Sequence, residues 1–293
     1  MSVLDAAPGP VAGGPVAAAT APARALSRRL PPASVLASLA VLAVVLLWSL
    51  APGLVTGHDP AVGVPDDKFT APGAGYWLGT DHLGRDLLTR IVHGSASSMT
   101  SALIAVAIGV LAGGLLGLLG GYLGGWVDAV IGRVVEVLLA IPGFLLAVVI
   151  VTALGYDTRN AAIATGVSAV AVFARLMRSE VLRVRTSVFI EAARLSGASA
   201  GYVLLRHVLP NAVRPVLSLA VLQFGIAILV IAGLAFLGYG DPPPASDWGL
   251  LVSDGREHLL HAPWLVIAPG LVIAVVVLSV SRLSSWLDLG RNR

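Results

Sequence analysis

The sequence predicts an all-α, polytopic membrane protein with six transmembrane helices. Its composition is the first observation: 12% of the 293 residues are charged and 57% are hydrophobic, against about 25% and 45–50% in soluble domains. The second is that Val35 to Leu50, Thr100 to Leu119 and Leu265 to Val280 carry no charge at all. Such runs approach the ~20 apolar residues that a helix needs to cross a hydrocarbon core. With 19 bases against 16 acids the net charge is only +3, which leaves no dense basic face for a nucleic-acid partner. The absence of cysteine removes disulfides, thiolate metal sites and a cysteine nucleophile.

The chain opens on residues 1–32, rich in Ala, Pro and Gly, with Arg24, Arg28 and Arg29 just before the first apolar run. That composition predicts a disordered tail. Basic residues ahead of an apolar core also fit a secretory signal, but the run from Ala33 is long for one and reads as an uncleaved first span, 33–51. Five further spans follow at 98–120, 130–154, 160–179, 213–238 and 263–286, separated by loops 52–97, 180–212 and 239–262. Arginine and lysine accumulate on the cytoplasmic side of membrane proteins. Fourteen of the bases fall on the side that holds the tail, the turn between the second and third spans, the 180–212 loop and the carboxyl end, and five fall on the other side. Both termini are therefore expected in the cytoplasm. With six acids inside and ten outside, the faces carry +8 and −5.

The second span is dense in glycine, with Gly113, Gly117 and Gly121 four apart. That spacing predicts close helix packing rather than a pore. Near the third span Arg133 and Glu136 stand three apart, which predicts an ion pair on one helix face rather than a proton relay. No acid lies near mid-span, which disfavours a proton-coupled carrier. Asp254, Glu257, His258 and His261 gather on the second outer loop, and their loose spacing reads as a solvated rim rather than a metal site. Lys68 is the only lysine and follows Asp67, so the chain has no phosphate-binding Gly-Lys-Ser/Thr loop. Neither a nucleophile elbow nor an H-E-x-x-H zinc helix is expected, and no case for enzymatic chemistry arises.

The loop 187–210 is the most specific feature. Its first helix is expected over 187–196, with Ser187 as N-cap and Glu191 near the positive end of the dipole. Gly197 supplies a left-handed stop, and a second helix is expected to end before Pro210. An ordinary amphipathic linker would satisfy the same pattern.

The series Glu191-Ala192-Ala193, Gly197 and His207-Val208-Leu209-Pro210 resembles the EAA loop of ABC-importer permeases. Three further stretches are similar to the C-type subunit of the dipeptide, oligopeptide and nickel branch. They are Leu78 to Asp86, Gly120 to Pro142, and Leu234 to Gly240 continuing through Trp248-Gly249. Two departures stand out: Phe189 replaces the tyrosine before Glu-Ala-Ala, and Ser284-Ser285-Trp286-Leu287-Asp288 replaces the family's usual ending.

The resemblance implies a type I ABC-importer permease fold with a permease domain over 98–286. It implies that the loop couples to ATPase subunits through Glu191, Ala192, Ala193, Arg194, Gly197, Arg206, His207 and Pro210. The implied partners are a second homologous permease, two ATPase subunits carrying ATP and Mg, an extracytoplasmic binding protein and membrane lipid, with no cofactor on this chain. Asp81, Arg85, Asp86, Asp241, Asp247 and Trp248 are the expected docking residues for the binding protein. Thr165, Ser168, Ser218 and Gln223 are candidates for a weakly polar pathway wall. Short peptides are the expected cargo, with nickel or another small solute as the alternative.

Overall fold

The computed structural model describes residues 32–291, with side chains described as far as Leu287. The expected disordered tail, residues 1–32, lies outside the described residues except for Pro32. Among the described residues nine helices of α type form: α1 (Ala33–Leu50), α2 (Leu87–Leu123), α3 (Gly125–Ala140), α4 (Gly143–Leu154), α5 (Thr158–Arg185), α6 (Val188–Leu195), α7 (Ala200–Phe236), α8 (Trp248–Arg256) and α9 (Trp264–Arg291). Among the described residues extended pairing is limited to one isolated bridge, Thr80 with Asp86. Five helices, α1, α2, α5, α7 and α9, are long and apolar enough to cross a bilayer, and the bent pair α3–α4 meets the same test as a unit.

Three expected boundaries need correction. The helix that contains the expected second span begins at Leu87, well before 98, because Asp86 caps it by accepting from the Leu88 and Thr89 N–H groups at 3.3 and 3.0 Å. The polar residues of its first turns, which break the hydropathy pattern, are satisfied by other segments. The third span is broken by 94° between Ala140 and Gly143. Pro142 forces Ile141 into extended backbone at φ −95°, ψ 129°, as expected of a residue before proline.

Pro210 does not end a helix. A π turn over Leu204–Val208 shifts the bonding frame so that the Leu209 N–H reaches Leu204 O. The Asn211 side chain also donates to His207 O at 2.6 Å. The second loop helix and the fifth span are therefore one continuous rod, α7. A similar π turn interrupts α2 over Gly109–Gly113.

Helix α5 is the centre, packed against α2, α3, α4 and α7, and 56% of its most apolar window is buried. The glycines of α2 explain how close the approach is. A Cβ on Gly113 would stand 2.4 Å from Val170 O, and one on Gly117 would stand 2.3 Å from Ala174 O. The glycine stripe is thus a packing seam, as its spacing predicts. Across it, Asp128 of α3 accepts two hydrogen bonds from the Arg178 guanidinium of α5, the longer at 2.7 Å. At the outer side of the bundle α9 rests on α1, α7 and α8, and Arg282 donates to Ser34 at 3.1 Å.

Candidate functional site

The sequence-predicted residues fall into three groups, which the fold holds apart. The first is the α5–α6–α7 turn. Helix α6 has Ser187 at the N-cap position, but the hydroxyl donates backwards to Val184 O instead of capping. Gly197 has φ +82°, and the turn closes through Gly197 N–H to Arg194 O at 3.0 Å and Ala198 N–H to Ala193 O at 3.2 Å. Ile190 is fully buried and packs in a cluster with Val181, Val184, Val203 and Val208. The Tyr122 hydroxyl donates to Ala200 O at 2.6 Å, tying α2 to the same turn.

This anchoring leaves Glu191, Ala192, Arg194 and Arg206 facing outward. Val188 and Leu195, seven residues apart and so on one face of α6, are more than 80% exposed. The Glu191 carboxylate, in the first turn of α6, pairs with no base and caps no N–H group among the described residues. His207 sits between the rings of Tyr202 and Phe189, with centroids at 5.6 and 6.5 Å.

Against the expectation that no such pattern exists in the chain, Gly197 to Gly201 spell G-x-S-x-G. No strand leads into it, and Ser199 Oγ accepts from the Tyr202 N–H at 3.4 Å as a helix cap. This is a turn, not a nucleophile elbow.

The second group lies at the opposite end, where loop 51–86 and the segment around α8 lock together. Asp81 is the hub. Its carboxylate accepts from the Leu83 and Arg85 N–H groups at 2.8 and 3.0 Å, from Arg85 Nε at 2.7 Å and from Arg90 Nη1 at 2.9 Å. Arg90 reaches on to Ala245 O at 3.0 Å and to Asp254 at 3.5 Å. Burial works against ionisation of Asp81, but the two backbone N–H groups and the flanking arginines outweigh it and hold the carboxyl below its ordinary range.

Asp247 caps α8 through the Gly249 N–H at 2.9 Å and accepts from Ser98 Oγ at 2.8 Å. Burial pushes its carboxyl up despite those donors. Trp248 donates from its indole to Ile91 O at 2.9 Å. Asp241 accepts from the Thr158 N–H at 3.0 Å, while Thr158 Oγ1 accepts from the Asp241 N–H at 3.2 Å.

These contacts correct the expectation that the named residues meet a partner directly. Asp81, Arg85, Asp247 and Trp248 are at most 2% exposed, because ions and ring atoms are saturated by contacts within the chain. They build the face; Leu83, Leu259 and Leu260 are the side chains exposed beside it. His82 stacks on His258 with centroids 5.4 Å apart, and Phe69 meets His258 edge-on. Among the described residues no three metal-ligating side chains converge.

The third group is a cavity of about 240 Å³ between α2, α4, α5 and α7, lined by Thr165, Ser168 and Gln223 together with apolar side chains such as Phe144 and Val172. Ser218 does not join it; its carbonyl receives a bond from Ser284 Oγ at 3.3 Å. Arg133 and Glu136 pair at 3.1 Å on the exposed face of α3, as their spacing predicts. The Asp128–Arg178 pair was not read from the sequence, because its members lie 50 residues apart.

Comparison with known proteins agrees with this architecture. A family model described as binding-protein-dependent transport system inner membrane component matches residues 109–293. The dipeptide transport system permease protein DppC of Alkalihalophilus pseudofirmus is 38% identical over 243 residues, covering 83% of this chain and 80% of that protein. The glutathione transport system permease protein GsiD of Shigella flexneri is 39% identical over 222 residues, covering 76% of this chain and 73% of the relative.

Among solved structures, an amino acid ABC transporter with histidines aligns with TM-score 0.54 at 18% identity, over 69% of this chain and 94% of that one. The MetNI methionine ABC transporter aligns with TM-score 0.50 at 18% identity, over 69% and 96%. At that identity the likeness establishes the fold alone. With a family model over most of its length and relatives near 38% identity, the chain belongs to the binding-protein-dependent transport system inner membrane components, the permease subunits of ABC importers.

Proposed function

We propose that this chain is one half of the translocation pathway of a peptide importer, lying in the cytoplasmic membrane with both termini and the α6 turn inside. The observation that carries the coupling assignment is the combination at α6 of rigid anchoring with an exposed mixed face. Ile190 and the cluster around it would transmit a push to α5 and α7, while Glu191, Ala192, Ala193, Arg194 and the exposed Val188 and Leu195 offer a contact surface. Gly197 permits the turn, and Arg206, His207 and Pro210 lie where the turn enters the fifth span. Two ATPase subunits, carrying ATP and Mg, would dock there and drive access from one side to the other. Arg183, Arg194 and Arg206 near this end, against the acids of the opposite loops, support the orientation.

A chain with five long spans and one bent pair encloses too little to form a conduit alone, so a second homologous permease completes it. The face built on Asp81, Arg85, Asp86, Asp241, Asp247 and Trp248 would receive an extracytoplasmic binding protein through its exposed neighbours. Peptide cargo is supported by relatives named for dipeptides, D,D-dipeptides and glutathione. Thr165, Ser168 and Gln223 give the wall the weak polarity that such cargo needs.

The test is reconstitution with partner subunits in liposomes, presenting binding protein loaded with dipeptide, longer peptide or nickel. ATP-dependent uptake of peptide is expected. Uptake of nickel alone, or uptake without ATP, would overturn the assignment.

A further inference from the structure

The cavity between α2, α4, α5 and α7 contains three polar side chains, and they are not equivalent. Thr165 Oγ1 donates to Ala161 O at 2.8 Å and Ser168 Oγ donates to Thr165 O at 2.7 Å. Each hydroxyl has therefore given up its one proton and can only accept. Gln223, half-buried on α7, has no hydrogen-bond partner among the described residues. Its Nε2 is the donor left available on a wall otherwise lined by groups such as Phe144, Val172 and Ile226. The amide lines the open cavity rather than lying shut away from solvent, so a solute in the cavity can take over the hydrogen bonds that water makes there.

We propose that the Gln223 carboxamide hydrogen-bonds the peptide groups of the translocated solute. Nε2 donates to a peptide carbonyl, and Oε1 accepts a peptide N–H with the hydroxyl oxygens of Thr165 and Ser168 as further acceptors. This rests on the peptide-importer reading above and assigns the contact within it. A carboxamide complements the one group that every short peptide has, whatever its side chains. Being neutral, it holds no terminal charge of a zwitterion tightly. A pathway site must bind well enough to admit its solute and weakly enough to release it, and a single amide meets both needs.

The experiment uses the complete importer in proteoliposomes and compares ATP-dependent uptake of a dipeptide with that of its depsipeptide isostere. In the isostere an ester oxygen replaces the peptide N–H. The binding protein is common to wild type and variant, so its own preference cancels in the comparison. Gln223→Leu is expected to shrink the preference for the amide by about three- to tenfold, the effect of losing one or two net hydrogen bonds. Gln223→Asn, which keeps a shorter carboxamide, is expected to restore part of it.

An unchanged preference in Gln223→Leu would overturn the proposal. So would release of the second permease from that variant, because the amide would then be an assembly contact. Failure of the wild type to take up the dipeptide at all would instead defeat the peptide-importer reading.

Discussion

Asp81 ties three segments together at one end of the molecule. It joins Arg85 and Arg90 by ion pairs that are almost wholly buried, and the hydrogen bond from Arg90 to Ala245 O carries the link on to the segment leading to α8. Removing one partner of such a pair leaves an uncompensated charge, which costs about 3–5 kcal/mol. Asp81→Asn should therefore lower the thermal midpoint of the purified protein by several degrees, as followed by tryptophan fluorescence. Because the folded carboxyl ionises below its ordinary range, the pair stabilises the fold above the unfolded carboxylate value of about 3.9. That stability is lost as pH falls through the lower, folded value. The contact between loop 51–86 and the segment around α8 should hold at pH 5 and loosen only in stronger acid, with Asp81→Asn abolishing that acid transition.

Gly117 gives a second prediction at this scale. Gly117→Val would drive side-chain atoms into Ala174 O and destabilise the α2–α5 seam by about 1–3 kcal/mol or more. Gly132→Val, where nothing stands within 4 Å, should leave the thermal midpoint unchanged.

The α6 turn and the ion pair between α3 and α5 give the predictions at the level of helices. Gly197 has open space around it and a φ of +82°. Gly197→Val is therefore costly through backbone strain alone, about 1–2 kcal/mol. The thermal midpoint should fall by only a few degrees, while ATPase binding and transport fall sharply; Gly197→Asn, which tolerates left-handed backbone, should retain most of both. Transport equal to wild type in Gly197→Val would refute the role of the turn. Asp128→Arg and Arg178→Asp should each loosen α3 from α5, and the double reversal should recover part of the loss in a thermal scan.

These elements also mark how far the sequence is legible. The short helix, its glycine stop and the glycine seam follow from local rules and appear where expected. The start of α2 was hidden because Arg90, Ser95 and Ser98 look like loop residues until Asp81, Asp247 and backbone groups satisfy them. The bend at Pro142 had a local signal, the proline-glycine pair after Ile141. The passage of α7 through Pro210 had none, since a π turn has no sequence signature of its own. For the candidate sites, the α6 residues were readable as a motif, but the buried state of Asp81, Arg85, Asp247 and Trp248 depends on contacts between distant segments.

At the scale of the whole molecule, the opposed charges and the two differently built ends are what the proposed role requires, with cargo received at one face and force at the other. The chain has no cysteine, so single cysteines introduced at each end report their neighbours without background. The most direct measurement is cross-linking in the assembled importer from Glu191→Cys on the exposed face of α6 and from Leu260→Cys, 94% exposed at the opposite end. Glu191→Cys is predicted to cross-link to an ATPase subunit and Leu260→Cys to the binding protein. Cross-links reversed between the two positions, or an ATPase adduct from Leu260→Cys, would contradict the account.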